Sequence, residues 1–139
     1  MPFVLDASIV LSWHFLDERT PEAMAVLDRT VNEAIVVPAH WSAEVANGAL
    51  VGERRGRATA AQSSGLMERL GSMIVESDAL GCEETFDRIL PLARAHRLTV
   101  YDAVYLELAE RRGLPLATRD AELAAAARSV GVEVIGAAS

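Results

Sequence analysis

The sequence predicts an α/β domain, a parallel sheet of about four or five strands flanked by helices. Three observations predict it. Short apolar runs alternate with longer stretches of three- and four-residue apolar spacing along the whole chain. No internal repeat, low-complexity segment or linker interrupts that alternation. The 139 residues, 51% of them hydrophobic, suit one domain with a real core, read as spanning 1–139.

Phe3-Val-Leu reads as the first buried strand and ends at Asp6, after which Ala7-Ser-Ile-Val-Leu-Ser-Trp starts a helix. Thr20-Pro21-Glu22 is a helix start, with Thr as cap and Pro in the first turn; Ala23, Val26, Leu27 and Val31 form its apolar stripe. Ala34-Ile-Val-Val is the second strand, closed by Pro38. A helix follows from about His40 to Arg54, with Glu44 one turn inside it and Asn47 on the same face. Ala58 to Leu70 is helical and Ser72-Met-Ile-Val is the third strand. Cys82 to His96 reads as a helix buried through Phe86, Ile89, Leu90 and Ala93 and kinked at Pro91. Tyr101 to Arg112 is the next helix, with Gly113 as its C-terminal cap and Arg111 and Arg112 suited to the negative end of its dipole. Leu114 to Ala117 is a short strand, Thr118-Arg-Asp120 opens an Ala-rich helix, and Val132 to Ile135 is the final strand.

Composition excludes several classes of function. The net charge of −7 argues against passive electrostatic binding to nucleic acid. All 13 basic residues are arginine, so Walker-type phosphate binding, Schiff-base chemistry and the receiver-domain mechanism lack the lysine that each requires. No apolar run is long enough to span a membrane, and the N-terminus lacks the basic region of a signal peptide. With a single cysteine, Cys82, no internal disulfide is possible, and a cytoplasmic location fits.

In a parallel sheet the C-terminal ends of the strands share one edge. Asp6 ends the first strand, Glu44 sits about one turn into the helix after the second, Asp102 begins a helix and Asp120 follows a strand, so all four acids are expected at that edge. Taken singly, Asp6 and Asp120 read as helix caps and Asp102 as a first-turn acid favoured by the dipole. As a set they read differently, because Glu44 is no cap and four carboxylates in one cleft repel one another unless something neutralises them. A hard divalent cation does so, Mg²⁺ or Mn²⁺ taking oxygen ligands and keeping positions open for phosphate oxygens and water.

The runs Val4-Leu-Asp-Ala-Ser, Trp41-Ser-Ala-Glu-Val-Ala-Asn-Gly-Ala-Leu50, Tyr101-Asp-Ala-Val-Tyr-Leu-Glu-Leu-Ala109 and Leu116-Ala-Thr-Arg-Asp120, in that order, resemble a PIN domain. More closely they resemble the VapC toxins of bacterial VapBC toxin–antitoxin pairs, and the resemblance covers essentially the whole chain. It implies a PIN-like fold and an acidic quartet of Asp6, Glu44, Asp102 and Asp120 that binds Mg²⁺, or Mn²⁺ in its place, in an endoribonuclease. Ser8 and Thr118 match the hydroxyl positions that support such a site, and Asn47 matches the polar residue near the Glu. Ala7 stands where many members carry Thr. The family also implies an RNA substrate, a cognate VapB-like antitoxin and a homodimer.

Two rival readings stand beside this one. A dehalogenase-type phosphatase also begins strand–Asp, but it needs a second Asp where Ser8 stands, and a lysine. A PIN-like scaffold that binds without cutting would be favoured by loss of one of the four acids; a PIN nuclease of RNA processing would keep them without toxicity. Arg54, Arg55 and Arg57 suit either RNA phosphates or a solvated helix end. Trp13, Trp41 and Cys82 read as packing residues, and Glu107 and Glu110 as exposed faces. His14, His40 and His96 lack zinc-ligand spacing.

Overall fold

Apolar runs build the inner strands. In the computed structural model, which describes residues 1–137, β1 is Phe3–Leu5, β2 Ile35–Pro38, β3 Val75–Asp78, β4 Leu116–Ala117 and β5 Val134–Ile135. All pair in parallel, in the order β3-β2-β1-β4-β5. Residues of β1, β2 and β4 are buried, as expected for inner strands covered on both faces. The connections are α1 (Ala7–His14), α2 (Pro21–Arg29), α3 (Trp41–Arg54), α4 (Ala60–Gly71), α5 (Cys82–Glu84), a π-helical turn (Thr85–Ile89), α6 (Leu90–His96), α7 (Val100–Arg112) and α8 (Ala121–Ser129). Among the described residues no helix is long and apolar enough to cross a membrane.

The chain leaves β1 toward β2 on one side and returns to pair β4 on the other. The strand order therefore reverses at β1–β4, where Val4 pairs with Leu116 and Leu5 with Ala117. Such a switch point opens a crevice beyond the C-terminal strand ends. Asp6 is the residue after β1, and Thr118 to Asp120 follow β4.

Several local expectations are corrected. The third strand is not Ser72–Val75 but Val75–Asp78. Ser72 closes α4, its hydroxyl bonded to the Arg69 carbonyl, and register with Ile35–Pro38 puts Glu76 and Ser77 on an exposed edge strand where apolar residues are not required. The helix expected over Cys82–His96 is broken by the π turn, with Pro91 in the first turn of α6. The wider turn abolishes the 3.6-residue spacing, and Phe86 is 65% exposed instead of buried. Cys82 is exposed at the start of α5. Val31 lies beyond the end of α2 and is exposed too. Glu107 is only 7% exposed; its carboxylate takes Arg111 Nε at 2.7 Å, with Arg88 at 3.5 Å, so the buried charge is paired with arginines that reach solvent.

Candidate active site

Asp6 lies at the switch point and is only 4% exposed. Two hydroxyls converge on its Oδ2: Ser8 Oγ and Thr118 Oγ1 each donate at 2.7 Å. Thr118 in turn accepts the Asp120 N–H at 3.0 Å, and Ser8 accepts the Arg119 N–H at 3.0 Å. The loops after β1 and β4 are thus laced together through these two hydroxyls. Burial raises the Asp6 pKa above the usual carboxylate range, the charge of Glu44 adds to the rise, and the hydrogen bonds of Ser8 and Thr118 oppose it.

Asp120 caps α8, its Oδ1 accepting the Leu123 N–H at 2.9 Å. That is a structural role, and it leaves the second oxygen without a hydrogen bond among the described residues. Asp102 stands in the first turn of α7, whose cap is Thr99; the Thr99 hydroxyl accepts the Asp102 N–H at 3.1 Å. The Asp102 pKa is pushed up to about 6, first by burial and then by the charges of Asp6, Asp120 and Glu44. Carboxylates from three separate parts of the fold therefore act on one group.

Glu44 is half-buried on α3 and is held from α7. Tyr105 donates its hydroxyl to Glu44 Oε1 at 2.7 Å, and His40 Nε2 lies 3.0 Å from the same oxygen. The His40 contact is close without being an aligned hydrogen bond. Burial works to raise the Glu44 pKa, but the polar contacts with His40 and Tyr105 and the attraction of His40 outweigh it, and the net shift is downward. Burial and the charges of Asp6 and Glu44 hold the Tyr105 hydroxyl far above its ordinary pKa, so it stays a donor.

The sequence reading passes over Tyr105 and weighs His40 only as a zinc ligand. A signal existed: Tyr105 is three residues after Asp102 on one helix and shares its face, and His40 is four residues before Glu44. Asn47 is exposed one turn beyond Glu44 and makes no side-chain hydrogen bond among the described residues. Arg57 is engaged away from the acids, paired with Asp17 and Glu18 and lying over the Phe15 ring at 4.0 Å. Arg119 reaches Glu18 at 3.3 Å.

The chemistry of the donor set fits a hard divalent cation: four carboxylates, no thiolate and one imidazole already committed to a carboxylate. Mutual repulsion, seen at Asp102, is what such an ion would relieve. As they stand, no three acid, histidine or cysteine side chains among the described residues meet closely enough to enclose an ion.

Comparison with known proteins agrees with this architecture. The PIN domain family matches residues 3–129. Ribonuclease VapC3 of Pyrobaculum aerophilum is 32% identical over 126 residues, which cover 89% of this chain and 93% of that protein. The crystal structure of PAE2754 from the same organism superposes with a TM-score of 0.69 and 29% identity, over 96% of this chain and 83% of that one. VapBC2 of Rickettsia felis, solved bound to a DNA fragment from its promoter, shares the fold with a TM-score of 0.63 at 14% identity, over 96% of this chain and 97% of that chain. A match spanning nearly all strands and helices, together with a relative of that identity along nearly its whole length, decides the family: the chain belongs to the PIN-domain proteins and, within them, to the VapC ribonucleases.

Proposed function

We propose that the chain is a divalent-metal-dependent endoribonuclease and the toxin of a toxin–antitoxin pair. The observation that carries this reading is the switch point itself: Asp6 and Asp120 follow the paired strands β1 and β4 and are linked through the Thr118 hydroxyl, and Tyr105 ties Glu44 to the helix that opens with Asp102. Relatives named as VapC ribonucleases support RNA as the substrate. The VapBC2 complex of Rickettsia felis supports a VapB-like antitoxin as partner.

Asp6, Glu44, Asp102 and Asp120 would hold Mg²⁺, or Mn²⁺ in its place. Bound there, the cation supplies Lewis acidity at the phosphodiester and a lowered pKa for water. The protein's own contribution is orientation. The hydroxyls of Ser8 and Thr118 fix Asp6, the Leu123 N–H fixes Asp120, and Tyr105 fixes Glu44. Burial and the neighbouring acids both work against the Asp102 charge, and a cation held there would relieve it. The histidines do not pair: His40 lies beside Glu44 and His14 contacts Ser63 at 3.4 Å, so water is the nucleophile in this reading. Attack by water opposite the 3′-oxygen breaks the bond to that oxygen and leaves a 3′-hydroxyl and a 5′-phosphate.

The test is RNA cleavage with and without metal. Activity is expected with Mg²⁺ or Mn²⁺, to vanish in excess chelator and to return on adding metal. Undiminished cleavage in excess chelator would remove the metal from the account.

A further inference from the structure

We infer that Tyr105 is a positioning residue that makes Glu44 a one-oxygen donor and so biases the acidic cluster toward small octahedral cations. The inference rests on the reading of Glu44 as a metal-holding acid. Tyr105 is fully buried, and a buried phenol requires an acceptor. Its acceptor is Glu44 Oε1, reached from α7 to α3 at 2.7 Å. His40 is 3.0 Å from that same oxygen, and its ring meets the Tyr105 ring edge-on at 5.2 Å, so the two groups crowd one side of the carboxylate. Oε2 accepts no hydrogen bond among the described residues. Tyr105 also shares a helix face with Asp102, which ties the position of Glu44 to the helix that carries Asp102.

The pattern recurs across the cluster. Both hydroxyls at Asp6 converge on Oδ2, and the Leu123 N–H takes Asp120 Oδ1. Each donor takes up one of the two lone-pair directions of its oxygen, and at Glu44 the His40 ring crowds the same side, so the other oxygen is the more open to a cation. Mg²⁺ and Mn²⁺ accept single oxygens in octahedral geometry, whereas Ca²⁺ readily takes both oxygens of a carboxylate in a larger, looser shell. Tyr105→Phe keeps the ring, removes the donor and frees Oε1. Ca²⁺ should then gain on Mn²⁺.

The experiment is calorimetric titration of the full chain with Mn²⁺ and with Ca²⁺, in the wild type, Tyr105→Phe, Glu44→Gln and the double variant. Tyr105→Phe is expected to lower the ratio of Ca²⁺ Kd to Mn²⁺ Kd about tenfold, within the range of outer-shell effects at metal sites. In the Glu44→Gln background the same substitution should leave the ratio unchanged, because its route is lost; a packing defect would act in both backgrounds. An unchanged ratio in Tyr105→Phe, with Mn²⁺ binding weakened by Glu44→Gln, overturns the inference and leaves the functional reading standing. Mn²⁺ binding untouched by Glu44→Gln overturns the reading of Glu44 itself. Should Tyr105→Phe not fold, the infrared difference between Mn²⁺-loaded wild type and Glu44→Gln decides. A wide separation of the two Glu44 carboxylate stretches is expected for one-oxygen binding, and the narrow separation of two-oxygen binding overturns the inference.

Discussion

Asp102→Asn is predicted to make the metal-free protein more stable while destroying its activity. The Asp102 carboxyl has a pKa of about 6 in the fold against an ordinary 3.8. Below pH 3.8 it is protonated whether folded or unfolded, and it costs nothing. As pH rises from there to about 6 the unfolded chain ionises first, so stability falls; above about 6 the whole cost is present. That gap sets a ceiling of roughly 3 kcal/mol. Asp102 is only half-buried, and water screens part of the repulsion, so about half the ceiling is the safer figure. The substitution also removes a favourable first-turn charge from α7, worth about 0.5 kcal/mol. The cost of the buried, crowded charge outweighs that loss, and the net gain is about 1 kcal/mol, or roughly 3–4 °C in Tm for a domain of this size. Thermal and urea melts in EDTA across pH 4 to 8 read it directly: the variant should match the wild type near pH 4 and exceed it at pH 7.5. Adding Mg²⁺ should raise the wild-type Tm more than that of the variant. A variant that melts at or below the wild-type temperature at pH 7.5 would show that burial and the neighbouring acids place no burden on the Asp102 charge.

Three further outcomes are expected. Asp120 has two roles that separate: Asp120→Asn should keep the α8 cap and the fold yet lose cleavage, whereas Asp120→Ala should also cost about 1 kcal/mol in urea melts. Gly52→Ala should destabilise by about 1–3 kcal/mol, because the added methyl on α3 would collide with the Phe15 ring; a melt matching the wild type would mean that the ring moves aside freely. Expression of the chain alone should arrest bacterial growth, and co-expression of its antitoxin should relieve the arrest. A harmless chain with proven nuclease activity would point to RNA processing instead.

Much of this was legible in the sequence because inner strands leave a plain mark. Phe3-Val-Leu and Ile35-Val-Val are continuous apolar runs, since both of their faces are covered; Asp6 directly follows the first, and the helix after the second carries Glu44. The strand β3 was misplaced for the opposite reason: as an edge it needs no apolar run, and backbone pairing to β2 alone fixes where it lies. The π turn before Pro91 is invisible to a 3.6-residue template, which is why Phe86 was assigned to the core. Glu107 shows the same weakness for charge: Arg111 on its own helix could be paired with it by spacing, but Arg88 from the π turn could not. At the site the acids could be placed by topology, since Asp6 and Asp120 follow strands that meet at the switch point. The groups that hold them were harder to see. Only the fold brings Tyr105 across to Glu44, 61 residues away in sequence, so spacing along the chain could suggest a shared face with Asp102 but not the bond itself.

The most direct test of the central claim compares cleavage of one RNA, at equal Mg²⁺, by the wild type and by Asp6→Asn, Glu44→Gln, Asp102→Asn and Asp120→Asn, each first shown to be folded. The four acids acting as one cluster predict that every single variant loses activity by about a hundredfold or more, and that wild-type products end in a 3′-hydroxyl and a 5′-phosphate. A folded variant that cleaves at the wild-type rate, or a 2′,3′-cyclic phosphate at the cut, would contradict it.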